Sequence, residues 1–157
     1  MTLKNFYNMF DLKNQTIDMA SDHAGYNLKQ DVRAWLEAQG AQVKDYGCYS
    51  TESCDYPDYA HPLAEAIDKG EFERGIVICS TGNGICMTAN KHQGVRAALC
   101  WDTPLVLLAR QHNNANVLGL PANFITKEKA LEMVRLFFAT DFEGGRHERR
   151  VSKIACK

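Results

Sequence analysis

The 157-residue sequence lacks several features that would place a protein in a particular class. It has no run of about 18 apolar residues, so no transmembrane helix and no membrane partner are expected. Residues 1–15 lack the apolar stretch and the small-residue cleavage site of a signal peptide, and we therefore expect a cytoplasmic protein. The net charge is only −1, which gives no electrostatic reason to expect a nucleic-acid partner.

Cysteine and glycine motifs that would imply a metal or a nucleotide are also missing. The six cysteines include no Cys-x-x-Cys pair, and Cys48 and Cys54 are too far apart for a zinc knuckle. Because nothing suggests secretion, we expect free thiols rather than disulfides. No Lys-Ser/Thr follows the glycines at 82 and 84, and Met87 stands where a dinucleotide fingerprint has its third glycine. We expect no metal and no cofactor.

Short apolar runs alternate with amphipathic stretches, without an internal repeat or a low-complexity linker. Strands are predicted at residues 16–21, 42–46, 75–79, 95–100 and 115–120. Helices are predicted at about 28–39, 58–69 and 84–91, from Thr103 as N-cap with Pro104 behind it, and from Thr126. This order predicts a single doubly wound, Rossmann-like α/β domain with a five-stranded parallel sheet flanked by helices. Residues 1–15 would be an N-terminal extension, and residues 16–157 the domain with a helical tail.

In such a sheet, ligands bind outside the carboxyl ends of the strands. The first predicted strand ends in Ser21-Asp22-His23, which places an acid and an imidazole at a strand-to-helix turn. Ser21 or Asp22 could equally be a helix cap, with His23 as a bystander.

The third predicted strand ends in Cys79-Ser80-Thr81-Gly82-Asn83-Gly84. Glycines permit a tight turn, and the free N–H groups of the following helix would stabilise an anion or a developing oxyanion. The positive helix end favours a thiolate at Cys79, which is a competent general base for a carbon acid. The alternative is a buried structural cysteine followed by an ordinary glycine turn.

Two further groups have both a functional and a structural interpretation. His112, near a helix C-terminus, is either an acid/base group or a complement to the helix dipole. Arg146 and Arg150 share one face if the tail is helical and would then suit a phosphate, whereas a solvated basic terminus is the structural alternative.

Together these segments closely resemble the type-B ribose-5-phosphate isomerases and the related galactose-6-phosphate isomerase subunits. The resemblance covers roughly residues 16–154. Any one motif is weak, but their order is highly specific: Ser21-Asp22-His23-Ala24-Gly25, Asp55-Tyr56-Pro57, Cys79-Ser80-Thr81-Gly82-Asn83-Gly84-Ile85, Ala89-Asn90-Lys91, Arg110-Gln111-His112-Asn113, Asn116-Val117-Leu118 and Glu143-Gly144-Gly145-Arg146-His147.

The resemblance implies a metal-independent isomerase that interconverts ribose 5-phosphate and ribulose 5-phosphate through an enediolate. It also implies a homodimer with active sites shared between subunits, while the formation of tetramers stays open. By this resemblance Cys79 is the base, and the enediolate is stabilised by Thr81 and the amides of Gly82, Asn83, Gly84 and Ile85. Asp22 and His112 would assist ring opening. The phosphate would be bound by His23, Arg146 and Arg150, and the sugar oxygens by Asn113 and Tyr56.

The sequence departs from the family pattern at three places. Ser80 stands where the family usually has glycine, Asn123 where it often has arginine, and residues 1–15 precede the usual start.

The alternatives to a ribose-5-phosphate isomerase are an isomerase of a six-carbon sugar phosphate, such as allose 6-phosphate or galactose 6-phosphate, and a non-catalytic sugar-phosphate sensor on the same fold. A redox protein in which Cys79 pairs with Cys86 is a third.

Overall fold

Strands and helices alternate along the chain in the computed structural model, which describes residues 11–156. The elements are β1 (Thr16–Ser21), α1 (Tyr26–Ala38), β2 (Gln42–Asp45), α2 (Tyr56–Asp68), β3 (Gly75–Cys79), α3 (Asn83–Ala89), β4 (Ala97–Leu99), α4 (Thr103–Asn113), β5 (Val117–Pro121), α5 (Lys127–Ala139) and α6 (Arg146–Val151). All strand pairs are parallel, in the order β2-β1-β3-β5-β4. The predicted α/β fold with a five-stranded parallel sheet is confirmed.

Most element boundaries differ from the prediction by one or two residues, and two of these differences have a clear local reason. Strand β4 is shorter than the predicted residues 95–100 because side-chain amides replace ladder bonds at its start. The Asn116 side-chain oxygen accepts the Arg96 N–H. The Asn90 side chain accepts the Ala97 N–H and donates to the Ala97 carbonyl. The N-cap of α4 is Asp102 rather than Thr103, since the Asp102 carboxylate accepts the Thr103 N–H at 2.8 Å.

Helices cover both faces of the sheet, so the strands are buried on each side. One face packs against α1, α4 and α5, through buried Val32, Leu36, Val106, Val134 and Phe137 among others. The other packs against α2 and α3, chiefly through buried Leu63, Ala64, Ile67, Ile85 and Ala89. Burial on both faces explains why β3 and β5 are apolar along their whole length.

The segment before β1 contributes to this core. Leu12 is 1% exposed and its N–H donates to the Gln39 carbonyl at 3.1 Å. Leu12 falls inside the predicted N-terminal extension, so the last part of that extension packs onto the domain. The remainder of the extension, residues 1–10, lies outside the described residues. Among residues 11–156, no helix combines the length and the apolar character needed to cross a membrane.

The sheet order reverses between β1 and β3, because β2 lies on one side of β1 and β3, β5 and β4 lie on the other. Such a reversal opens a crevice at the carboxyl ends of the two strands. The two ends are held side by side there, since the Asp22 N–H donates to the Ile78 carbonyl at 3.2 Å. The fold therefore brings together the two segments that the sequence marks as chemically active.

A carboxyl group lies buried in the middle of β1. Asp18 has no exposed surface, and neither of its oxygens has a hydrogen-bond partner of ordinary geometry among the described residues. Burial raises the pKa of Asp18 to about 7, although the nearby Tyr46 hydroxyl and Lys44 ammonium oppose the shift. The folded protein thus retains a proton that the unfolded chain releases near pH 3.8.

This proton makes the stability pH-dependent. Between about pH 4 and 7 the folded state binds the extra proton, so the free energy of unfolding falls as the pH rises, by at most about 1.4 kcal/mol per pH unit. We expect Asp18→Asn to unfold at a higher urea concentration than the wild type at about pH 8 and to lose most of this advantage at about pH 4. The exposed Asp141→Asn is the control, and parallel pH profiles for wild type and Asp18→Asn would contradict the assignment.

Candidate active site

The loop after β3 directs a backbone N–H group at a buried thiol. Cys79 is 4% exposed, and its Sγ accepts the Gly82 N–H at 3.1 Å. The thiol thus faces a backbone donor at the start of α3. The Thr81 hydroxyl accepts the Asn83 N–H at 3.2 Å, which places a hydroxyl beside the same turn.

Glycine is required at two points of this loop. Gly82 has φ +75°, and a Cβ there would collide with Leu99. Its left-handed conformation starts α3 directly after the thiol. At Gly84 a Cβ would lie 2.5 Å from a ring carbon of Tyr56, so the absence of a side chain lets the Tyr56 ring lie against the first turn of α3. The predicted sugar contact Tyr56 is thereby held at the carboxyl edge.

The turn after β1 supplies an acid and an imidazole. Asp22 is 6% exposed and its Oδ1 accepts the Gly25 N–H at 3.0 Å, so the carboxylate does shape the local turn. His23 is oriented from outside this turn, since its Nδ1 accepts the Cys54 N–H at 3.2 Å. That bond places the ring proton on Nε2 and leaves it available as a donor. The contact with Cys54 was not foreseen from the sequence.

The remaining buried thiols have a different character. Burial raises the pKa of both Cys86 and Cys100 to about 12, so these groups stay protonated and unreactive near neutral pH. All six cysteines are free, as the sequence predicts.

His112 and Asn113 lie at the other edge of the sheet. Helix α4 begins after the carboxyl end of β4, runs antiparallel to the strands and ends just before β5. Its 11 residues span about 16 Å at the rise of an α-helix. Arg110 fixes this end of α4 through hydrogen bonds to the carbonyls of Thr140 and Ala115. Within one chain, His112 and Cys79 therefore lie at opposite ends of the strands.

The C-terminal tail joins His112 at this amino edge. Helix α6 starts at Arg146 and packs against α4, and the His147 ring stacks on the His112 ring with 4.2 Å between centroids and 13° between planes. A cavity of about 330 Å³ beside the two rings is lined also by Asn113 and Arg150. The predicted site residues thus form two groups: Asp22, His23, Tyr56, Cys79, Thr81, Gly82, Asn83, Gly84 and Ile85 at the carboxyl edge, and His112, Asn113, Arg146 and Arg150 at the amino edge.

Comparison with known proteins decides the family. Residues 17–154 match the family described as Ribose/Galactose Isomerase. The chain belongs to this family. The resemblance and the expected class of enzyme, a sugar-phosphate isomerase, are confirmed at this level.

Relatives in the ribose/galactose isomerase family are similar over nearly their whole length. A probable ribose-5-phosphate isomerase B from Mycoplasma pneumoniae is 46% identical over 90% of this chain and 93% of its own. The ribose 5-phosphate isomerase structure from Thermotoga maritima has a TM-score of 0.88 at 47% identity, covering 90% and 98% of the two chains. A Mycoplasma genitalium ribose-5-phosphate isomerase B, solved with bound ribulose-5-phosphate, has a TM-score of 0.86 at 43% identity, covering 90% and 95%.

The two internal departures from the family pattern contact each other. The Asn123 side-chain amide donates to the Ser80 hydroxyl at 2.7 Å, and the Asn123 N–H donates to the Ser80 carbonyl at 3.1 Å. One residue earlier in both segments, the Ala122 N–H donates to the Cys79 carbonyl at 2.9 Å. The loop that carries Cys79 is therefore fastened to the loop after β5. The sequence marks both positions but gives no sign that they are paired.

We expect this pair to behave as a coupled unit. Ser80→Ala and Asn123→Ala should each lower the free energy of unfolding by about 0.5–1.5 kcal/mol, and the double variant should lose clearly less than the sum. Urea denaturation of the wild type, both single variants and the double variant measures the coupling between the two side chains. A second cycle, in which Asn27→Ala on α1 replaces Asn123→Ala, is the control. Additive losses for Ser80 and Asn123 would mean that the side-chain bond does not contribute.

Proposed function

We propose that this chain interconverts ribose 5-phosphate and ribulose 5-phosphate by moving a proton between C1 and C2, with Cys79 as the general base and no metal in the reaction. The observation that carries the proposal is the contact between the Cys79 sulfur and the Gly82 amide at the β1/β3 crevice, in a chain of the ribose/galactose isomerase family. The neighbouring residues supply the other requirements of this chemistry.

The proton transfer needs a base and a place for negative charge. In the proposed reaction the Cys79 thiolate removes the C2 proton of the open-chain aldose and returns a proton to C1, while the proton of the C2 hydroxyl passes to the C1 oxygen. The C1 oxygen carries negative charge in the enediolate intermediate. Backbone N–H groups of the glycine loop and the Thr81 hydroxyl lie beside the thiol and would stabilise that charge. Because Cys79 is buried, its thiolate would act away from bulk water.

Ring opening and phosphate binding are assigned to the other side chains. Asp22 and His112 would transfer the protons that open the furanose ring. The Nε2–H of His23 would donate to the phosphate, and the guanidinium groups of Arg146 and Arg150 suit the same dianion. Tyr56 and Asn113 would contact sugar hydroxyls.

These assignments require two copies of the chain, and we propose a homodimer with shared active sites. One chain holds its two groups of site residues at opposite edges of the sheet, so a second copy would bring His112, Asn113, Arg146 and Arg150 to the thiol. An open cleft of about 520 Å³ beside Thr81 and Asn83 supports this arrangement. Its walls include Trp101 and Phe124, which are 57% and 71% exposed, and exposed apolar surface of this kind is typical of interaction sites.

The five-carbon substrate is favoured over six-carbon alternatives by the relatives. The Mycoplasma genitalium enzyme, 43% identical, was solved with ribulose-5-phosphate, and the chain matches it over nearly its full length. Free thiols throughout the chain suit a reducing compartment, and we place the enzyme in the cytoplasm.

The direct test is conversion of ribose 5-phosphate by the purified protein treated with a chelator. We expect turnover in the wild type, and a loss of about 10²–10⁴-fold in kcat for Cys79→Ala, because general-base catalysis contributes this much. Cys156→Ala, which removes an exposed thiol, is the matched control and should keep wild-type turnover.

Three results would contradict parts of the proposal. Undiminished turnover by Cys79→Ala would remove the thiol from the reaction. Loss of wild-type turnover in the chelator would mean that a metal is required. Turnover of allose 6-phosphate or galactose 6-phosphate without turnover of ribose 5-phosphate would replace the substrate.

A further inference from the structure

Three groups that can bind a metal converge at the amino edge of the sheet. The Nε2 atoms of His112 and His147 lie 3.9 Å and 3.6 Å from the same carboxylate oxygen, Oε2 of Glu143. All three candidate ligand atoms lie within 4.8 Å of one another. Because the two rings stack with 13° between their planes, their nitrogen lone pairs run nearly parallel, and one ring has to tilt before both nitrogens can bind a single ion.

Two imidazole nitrogens and one carboxylate oxygen form a donor set that Zn²⁺ uses in proteins, with bonds of about 2.0–2.2 Å. Tetrahedral geometry with such bonds places neighbouring ligand atoms about 3.3 Å apart. The two separations from the Glu143 oxygen exceed this by about 0.6 Å and 0.3 Å, and the two histidine nitrogens lie within 4.8 Å of each other. The Glu143 side chain is 51% exposed and the His112 side chain 37%, so both can make this small movement.

The fold holds the buried His147 side chain and the backbone of Glu143 in place before any ion arrives. His147 is buried against α4, and the Glu143 N–H donates to the Gln111 carbonyl at 3.1 Å, which ties the segment before α6 to the end of α4.

The surroundings allow a fourth ligand. The 330 Å³ cavity borders both rings, so a metal held by three protein groups would keep an open position there. The guanidinium of Arg150 lines the same cavity and, with Arg146, opposes a cation. We therefore expect a dissociation constant on the order of micromolar, weaker than that of a closed structural zinc site.

We propose that His112, Glu143 and His147 form an inhibitory binding site for Zn²⁺ or a similar divalent transition-metal ion. The bound ion would occupy the His112 nitrogen and add positive charge beside the phosphate-binding arginines. The inhibition rests on the proposed function, because it assumes that His112 takes part in the reaction. Binding of the ion rests only on the geometry.

The chain contains a second pair of histidines that serves as a control. His61 on α2 and His92 after α3 have Nδ1 and Nε2 atoms 2.9 Å apart. They lie on the face of the sheet opposite to α4 and offer a competing place for the same ion. A variant of this pair separates the proposed site from general binding of metal to surface histidines.

Binding is measured first, without reference to catalysis. The metal-free full-length protein is titrated with Zn²⁺ by calorimetry and with Co²⁺ by visible absorption. We expect His147→Gln and Glu143→Gln each to weaken the tightest site by at least about tenfold, and His61→Gln to change its affinity by less than about twofold. Loss of the tightest site in His61→Gln, unchanged affinity in His147→Gln, or no binding at millimolar Zn²⁺ would overturn the proposal.

Inhibition is measured second, as turnover of ribose 5-phosphate against Zn²⁺ concentration. We expect micromolar Zn²⁺ to inhibit the wild type and His61→Gln equally, with recovery after addition of a chelator. If Zn²⁺ binds tightly at a site that requires His147 but does not change turnover, the proposal of inhibition is wrong and the proposal of an ion site stands. Absence of turnover in metal-free protein would count against the proposed function alone, since the binding titrations do not depend on it.

Discussion

The shared direction of the five strands is the constraint on which the site depends. Parallel strands give the sheet a carboxyl edge and an amino edge, and each helix returns the chain from the first to the second. Residues that directly follow a strand, such as Asp22 and Thr81, therefore meet at one edge. Residues at the end of a returning helix, such as His112, lie at the other. The separation of acid/base groups in one chain follows from this topology, and it is why the proposed reaction needs a second copy.

At the carboxyl edge, a few local contacts shape the loop that carries Cys79. A left-handed glycine starts α3 immediately after Cys79, and the Gly82 N–H then reaches the sulfur at 3.1 Å. The hydrogen bond between Asn123 and Ser80 fastens the same loop to its neighbour in the sheet. Burial, together with the neighbouring Cys79 and Cys100 thiols, raises the pKa of Cys86 to about 12. In the proposed reaction Cys79 acts as the base from a strand end, where a backbone amide faces its sulfur.

The sequence predicts those features of the fold and the site that have local signals. Apolar runs and their punctuation by glycine predict the alternation of strands and helices, and a Cys–Gly segment at a strand end predicts the reactive loop. The missed contacts join residues far apart in the chain: Cys54 holds the ring of His23 across 31 positions, and Asn123 meets Ser80 across 43. The periodicity of apolar residues in the sequence does not indicate such long-range contacts. The N-cap of α4 was misplaced by one residue because Asp102 and Thr103 are both good caps.

The central claim is that each active site combines the carboxyl edge of one copy with the amino edge of another. Coexpression of Cys79→Ala chains with His112→Ala chains tests it most directly, since a mixed dimer would contain one site with both defects and one intact site. Each variant alone should be nearly inactive, and random pairing should restore about a quarter of wild-type turnover of ribose 5-phosphate, because half of the dimers are mixed and each has one good site of two. Mixed dimers that are isolated and remain as inactive as either parent would contradict the claim, as would full activity of the His112→Ala homodimer.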